Sequence, residues 1–421
     1  METAATTAQQ PVLLRQRTFR ALFGGAAFDQ ISHSVAALFT PLYLGMLGAG
    51  PALVGFIIGV TSFANPVVIL AAGMLIERVP PRRLIVATRL MVALALLLAT
   101  VAQAWWQLAP ALALISAGSL AYPALSRAVA ETTPPGDRAR AFSLIYGVGS
   151  NVSLILAPTL GGFVAEWLGL RWVYLVALLL ELVAIGCFLG IERGTVEQVA
   201  RVRQSYRDVV ECRPVVVVST LLLAAMLIMT IGLALLPTFL FEFRELNVGT
   251  IGRLGSLSGV GGLVFALILA RTRRRVSVAS PLILALALAP IAFVLYAVSG
   301  ALWVVALASL ISGAYLMVWP LIDAAIGNVA PERLRGRSFA FSEVFGGSGV
   351  AIGPMLAGLL YDSGPRLPLL VAFGGTVLLL LPAMLLLRGY LDRAQRAVER
   401  EDADAAEAAA ALEPVIQGHT P

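Results

Sequence analysis

Twelve apolar stretches, each about twenty residues or longer, alternate with short polar segments along this chain. They cover approximately 19–44, 53–76, 84–104, 107–130, 139–165, 171–190, 214–241, 250–270, 278–299, 301–329, 338–361 and 368–387. A helix needs about 20 apolar residues to cross the hydrocarbon core of a bilayer. Lipid offers backbone N–H and C=O groups no partner, so spanning segments are helices or closed barrels. These runs are too long and continuous for barrel strands. The pattern predicts an all-α polytopic membrane protein with helices 1 to 12 in chain order.

Composition agrees with that pattern. Of the 421 residues, 59% are hydrophobic and 13% charged, against about 25% charged in an ordinary soluble domain. The formal charge is +6, and all 30 basic residues are Arg. A basic chain can bind nucleic acid, but here the Arg fall in short clusters between apolar runs, which is a topology pattern. Placing the N-terminus, the loops after even-numbered helices and the C-terminus on one side puts 25 Arg there, from Arg15 to Arg400. The other side receives four, Arg171, Arg244, Arg253 and Arg366, and Arg89 lies within helix 3. That asymmetry predicts an inner-membrane protein with both termini cytoplasmic. No small-residue cleavage site follows a short apolar core, so no removable signal peptide is expected.

Several chemistries are set aside. With two His and two Cys, no metal cluster is expected. Cys187 lies in an apolar run and Cys212 in an Arg-rich loop, so a disulfide is not expected. The chain has no Lys and therefore no Gly-Lys-Ser/Thr phosphate loop, which excludes ATP-driven transport by this chain. Gly259-x-Gly261-Gly262 lacks the strand–turn–helix context of a dinucleotide site. No nucleophile–base constellation suggests an enzyme, and no cofactor or nucleic-acid partner is expected.

The segment 191–213 is the longest internal polar stretch and divides the spans six and six. The chain therefore reads as an N-terminal six-helix half (1–190), a cytoplasmic linker (191–213), a C-terminal six-helix half (214–388) and a cytoplasmic tail (389–421). Within the linker, 196–202 could lie on the membrane surface as an amphipathic helix. The tail reads as a solvated, frayed helix. The halves repeat: shifted by 197 residues, Pro123 meets Pro320, Pro134 meets Pro331, Arg138 meets Arg335, Arg140 meets Arg337 and Gly149 meets Gly346. Gly55 meets Gly252 in the same frame; one residue out of frame, Pro41 meets Pro237 and Pro158 meets Pro354. Duplicated halves are a known transporter architecture, with a binding site near the midplane between them.

Between helices 2 and 3 the chain reads Gly73-Met74-Leu75-Ile76-Glu77-Arg78-Val79-Pro80-Pro81-Arg82-Arg83. This resembles the loop signature of the major facilitator superfamily, Gly-x-Leu-Ala-Asp-Arg-x-Gly-Arg-Arg, with Glu77 for Asp and Pro80 or Pro81 for Gly. The resemblance implies a gating latch: Gly73 allows close helix approach, Glu77 sits near the positive end of helix 11, and Arg78, Arg82 and Arg83 pair across the cytoplasmic seam. The second copy has Ala270 and Arg274 at the positions of Gly73 and Glu77, so the latch is expected on one side only. Helix 5 carries Gly149-x-x-x-Ser153-x-x-x-Ala157-Pro158-x-x-Gly161-Gly162. It is similar to the superfamily's helix-5 ladder, with Ser153 and Ala157 replacing Gly. Small residues at every fourth position form one flat packing face, and Pro158 permits a bend. The ladder is associated with exporters that exchange solute for protons, so the resemblance points to the drug/proton antiporter-type efflux members. Generic tight packing explains the same spacing.

Acids within spans are costly, at least about 2.5–3.5 kcal/mol at the bilayer centre, and usually face a cavity, a partner or a functional path. Asp29 lies about ten residues into helix 1, with His33 one turn on. Helix 1 borders the central cavity in the resembled family, which makes these two the first proton-coupling candidates. Asp323 and Glu343 follow, nearer the cytoplasmic end, where they could meet Arg127. Asn65, Arg127, Tyr146 and Trp319 are candidate substrate-cavity residues. Glu181 in helix 6 is expected to be peripheral, and Arg89 to snorkel toward the interface.

The expected function is proton-coupled efflux of a small, amphiphilic solute by alternating access, by a monomer in membrane lipid. Proton-symport uptake of a metabolite is the first alternative, although the spans are poor in the Asn, Gln and Trp expected of a sugar carrier. A non-transporting membrane sensor or assembly factor on the same scaffold is the second.

Overall fold

The computed structural model describes residues 17–65, 67–68, 79–133, 137–191, 207–271, 279–331 and 334–417, with side chains to 400 except those of 139 and 399. Each of the twelve predicted stretches coincides with helix over most of its described residues. We label them α1 (Arg17–Ala37, resuming at Thr40–Met46) and α2 (Pro51–Ser62). Next come α3 (Pro81–Val101), α4 (Trp105–Thr132), α5 (Arg140–Leu168), α6 (Leu170–Leu189) and α7 (Arg213–Phe243). The last five are α8 (Val248–Arg271), α9 (Ala279–Val298), α10 (Leu302–Val329), α11 (Arg335–Ser363) and α12 (Leu367–Val398). Among the described residues, the ten from α3 to α12 are long and apolar enough to cross a membrane, and no strand occurs. The last helix continues to Gln417, so the tail's described part is helical.

Proline places the irregularities, and the two repeats share them. α1 breaks after Ala37 and resumes at Thr40 with Pro41 in its first turn. α7 breaks after Leu233 and resumes at Leu236 with Pro237 in its first turn. A proline there needs no N–H partner, whereas inside a helix it removes a rung. α4 and α10 tighten into 3₁₀ turns at Gly118–Leu120 and Gly313–Met317, just ahead of Pro123 and Pro320. π-helical turns interrupt α5 at Ser143–Gly149, α7 at Phe239–Phe243 and α12 at Thr376–Leu380.

The surface is apolar in long rows. On α3, Leu90, Leu94, Leu97, Leu98 and Val101 are all exposed, as are Trp167, Trp303 and Leu386 elsewhere. Water would make such continuous patches costly, whereas lipid tails make them the expected surface.

The chain forms two compact units. One comprises the described parts of Met1–Gly50, Val60–Ala200 and Leu240–Ser256. Its core packs α1 against α5 and α6, and α6 against α3. The start of α8 belongs to it because Gly252 lies on helix α5: a Cβ at position 252 would sit 2.4 Å from the Pro158 carbonyl and 2.7 Å from Gly162 Cα. Ser256 completes that contact, 3.0 Å from the Thr159 N–H and 2.7 Å from its hydroxyl. The other unit comprises the described parts of Pro51–Gly59, Arg201–Phe239 and Leu257–Pro421. Here α7 packs along α11, and the start of α2 meets α11 as the start of α8 meets α5. A Cβ on Gly55 would lie 2.1 Å from the Pro354 carbonyl. The two approaches are copies of one another, since Gly55 corresponds to Gly252 and Pro354 to Pro158 in the repeat.

Candidate functional site

Polar side chains hold α1 against its neighbours in the first unit. Gln30 donates from Nε2 to Ser150 Oγ on α5 at 3.1 Å, and Ser32 Oγ donates to the Ala177 carbonyl on α6 at 2.8 Å. Two turns later Thr40 meets the Tyr174 hydroxyl at 2.9 Å, and Tyr43 donates to the Ala99 carbonyl on α3 at 2.9 Å. These bonds fix the rotation of α1, so that Asp29 faces α3 and α6.

Arg89 of α3 meets it there. Its Nη1 donates to Asp29 Oδ1 and lies 3.7 Å from Glu181 Oε1 of α6; its Nη2 donates to the Gly118 carbonyl in the 3₁₀ turn of α4. The guanidinium also lies 5.9 Å from the ring centre of Tyr122. Asp29 and Arg89 are each 4% exposed and Glu181 1%, so three ionisable groups share one site screened from solvent. A Cβ at position 118 would come within 2.6 Å of Val92 Cγ2, so a larger residue there would force Val92 to move. His33, one turn beyond Asp29, is exposed.

The second unit has a different arrangement. Trp319 donates from its indole nitrogen to Glu343 Oε1 at 3.1 Å, and Asp323 lies one turn after Trp319 on α10. Both acids are half-buried, and among the described residues neither has an ion-pair partner.

The family model described as Major Facilitator Superfamily matches residues 22–313 and 245–417. The chain belongs to the Major Facilitator Superfamily. It is therefore a multi-pass membrane transporter rather than an enzyme. Among curated proteins, it is 32% identical over 155 residues to the tetracycline resistance protein, class H, of Pasteurella multocida. That match spans 36% of this chain and 39% of the relative's length. Among solved structures, a peptide transporter in complex with alafosfalin superposes with a TM-score of 0.71 at 15% identity, covering 93% of this chain and 99% of that one. A nucleoside transporter superposes at 0.74 with 14% identity, covering 87% and 99%. At such identities the likeness shows the superfamily fold.

The remaining predicted residues fall at separate places in this superfamily scaffold. Arg82 donates to the Leu189 carbonyl at the end of α6 at 2.7 Å, and Arg83 is exposed. Gly73, Glu77 and Arg78 lie outside the described residues, as does 196–202 of the linker. Arg127 pairs with Glu131 on its own helix at 2.5 Å. Tyr146 shares a hydrogen bond with Ser126 at 2.8 Å. Asn65 is half-buried, and its Oδ1 has no hydrogen-bond partner among the described residues. In the helix-5 ladder, Ser153 donates to the Gly149 carbonyl, Ala157 and Pro158 are buried, and a Cβ on Gly161 would lie 2.6 Å from the Phe39 ring. Gly162 faces Gly252. Cys187 and Cys212 are unbridged.

Two expectations change. Arg89 does not snorkel: its guanidinium turns inward because two carboxylates and a carbonyl wait there. Glu181, for which a cavity role was not favoured, is buried and faces the same guanidinium. The signal that could have found them is charge complementarity, one Arg and two acids in three otherwise apolar spans. Asp29, in turn, faces this enclosed cluster.

Proposed function

We propose that the protein is a proton-coupled exporter of a small amphiphilic solute, working by alternating access in the inner membrane with both termini cytoplasmic. In this reading 1–190 and 214–388 are the moving halves, 191–213 links them, 389–421 is a cytoplasmic tail, and one chain suffices for transport. Asp29 carries the coupling, and His33 beside it offers a path toward solvent. Asp323 and Glu343 are secondary proton sites, and Trp319, Tyr146, Asn65 and Arg127 contact the solute. The single observation that carries the reading is the ionisable cluster built around Asp29 in the core of the first unit. Buried carboxylates within a membrane are expensive, and a coupling role accounts for keeping them. The relative named for tetracycline resistance supports the outward direction, since removing a compound from the cell is one route to resistance.

The test is transport into everted vesicles under an imposed pH gradient, with tetracycline and a panel of amphiphilic dyes as probes. Wild type is expected to accumulate at least one probe. Asp29→Asn should fall to background at matched membrane levels, because Asn keeps the shape of Asp but cannot bind and release a proton. Asp29→Glu should retain part of the activity. Undiminished driven transport by Asp29→Asn would remove Asp29 from the coupling role.

A further inference from the structure

The cluster has an unbalanced charge inventory. Asp29, Arg89 and Glu181 are all buried, and with every group ionised they would carry two negative charges against one positive. Ser32 on α1, Thr88 on α3, Ser119 and Tyr122 on α4 and Tyr146 on α5 supply no positive charge. The imidazole of His33 could supply one, but that side chain is exposed and lies outside the enclosed cluster. An unpaired charge out of water costs several kcal/mol even after relaxation. Binding one proton neutralises the site at no such cost.

Geometry separates the two acids. Asp29 holds the direct hydrogen bond from Arg89. Glu181 stands 3.7 Å from the same nitrogen, and its Oε1 has no hydrogen-bond partner among the described residues. The guanidinium is thus committed to Asp29 and to the Gly118 carbonyl, and its Nε is left without a partner. The fold does not itself require these charges. At the repeat positions of Asp29, Arg89 and Glu181, in either register of the repeat, stand Ala225 or Met226, Ala285 or Leu286, and Val377 or Leu378.

We propose that Asp29, Arg89 and Glu181 hold one resident proton on the Glu181 carboxyl while Arg89 pairs with Asp29. Glu181 takes up H⁺ to become a neutral acid; release returns the carboxylate and leaves the site with one net negative charge, which Arg89 must then share between both acids. This proton is separate from the one Asp29 exchanges in the exporter reading, and the proposal rests on that reading only in that protonation of Asp29 would free Arg89 to pair with Glu181.

The test is infrared spectroscopy of the full-length protein in lipid nanodiscs at neutral pH, reading the C=O stretch of protonated carboxyl groups, which transport does not affect. Wild type is expected to show a band that Glu181→Gln lacks. Asp29→Asn should lack it too, because Arg89 would then pair with Glu181 and leave no proton to hold. Should either variant fail to fold, ¹³C-glutamate labelling of Glu343→Gln protein reads the remaining site, and the band should shift. A spectrum unchanged by both variants, or a labelled sample with no shifted band, would overturn the proposal. If the band behaves as expected while no probe is transported, the proton site stands and the exporter reading falls.

Discussion

In the first repeat the middle of α1 carries Asp29 against Arg89 and Glu181; in the second, the matching part of α7 carries Ala225 and Met226, both buried. The breaks before Pro41 and Pro237 and the tightened turns of α4 and α10 are otherwise the same device used twice. The second repeat keeps its intramembrane acids elsewhere. Asp323 and Glu343 are half-buried on α10 and α11, with an indole rather than a guanidinium as the observed donor. Replacing a buried ion pair with well-packed apolar groups is often neutral or stabilising. An apolar core therefore suffices for this architecture, and the charged core of the first repeat is explained better by work than by folding.

That contrast can be broken most directly at Arg89. Arg89→Leu leaves the buried Asp29 carboxylate without its cation, and should destabilise the protein by about 3–5 kcal/mol. Unfolding by SDS titration in mixed micelles reads the loss. The triple variant Asp29→Asn, Arg89→Gln, Glu181→Gln removes every ionisable group of the cluster and should recover most of it. Equal losses in the two would mean that the cluster acts through packing alone.

The wall behind the cluster gives a smaller effect. Gly118→Ala brings a methyl within 2.6 Å of Val92 Cγ2, and overpacking of this kind costs about 1–3 kcal/mol. Adding Val92→Ala should restore much of the stability, because the two residues share one space. No rescue would show that α3 and α4 yield at this contact.

The smallest effect is expected in the second repeat. Trp319→Phe removes the indole donor to Glu343, a single hydrogen bond worth about 1 kcal/mol. The same SDS titration should show a shift well below that of Arg89→Leu. A comparable loss would mean that the half-buried pair is as structural as the buried cluster, and the contrast between the repeats would fail.

The sequence alone determined the membrane, the helices and the repeat. Apolar runs of spanning length admit few alternatives, because lipid forces each span to satisfy its own backbone, and proline marks the same irregularities in each repeat. Asp29 stood out because an acid amid apolar neighbours is visible in one dimension. Its partners did not, since Arg89 is 60 residues away and Glu181 is farther still. Which face of α3 or α6 turns inward depends on the packing of α1, set by contacts such as Ser32 to Ala177 and Tyr43 to Ala99. Tertiary structure alone decided that Arg89 turns into the core rather than toward the interface. A long cationic side chain has both options in a helix, and the position of its counter-charges settles between them.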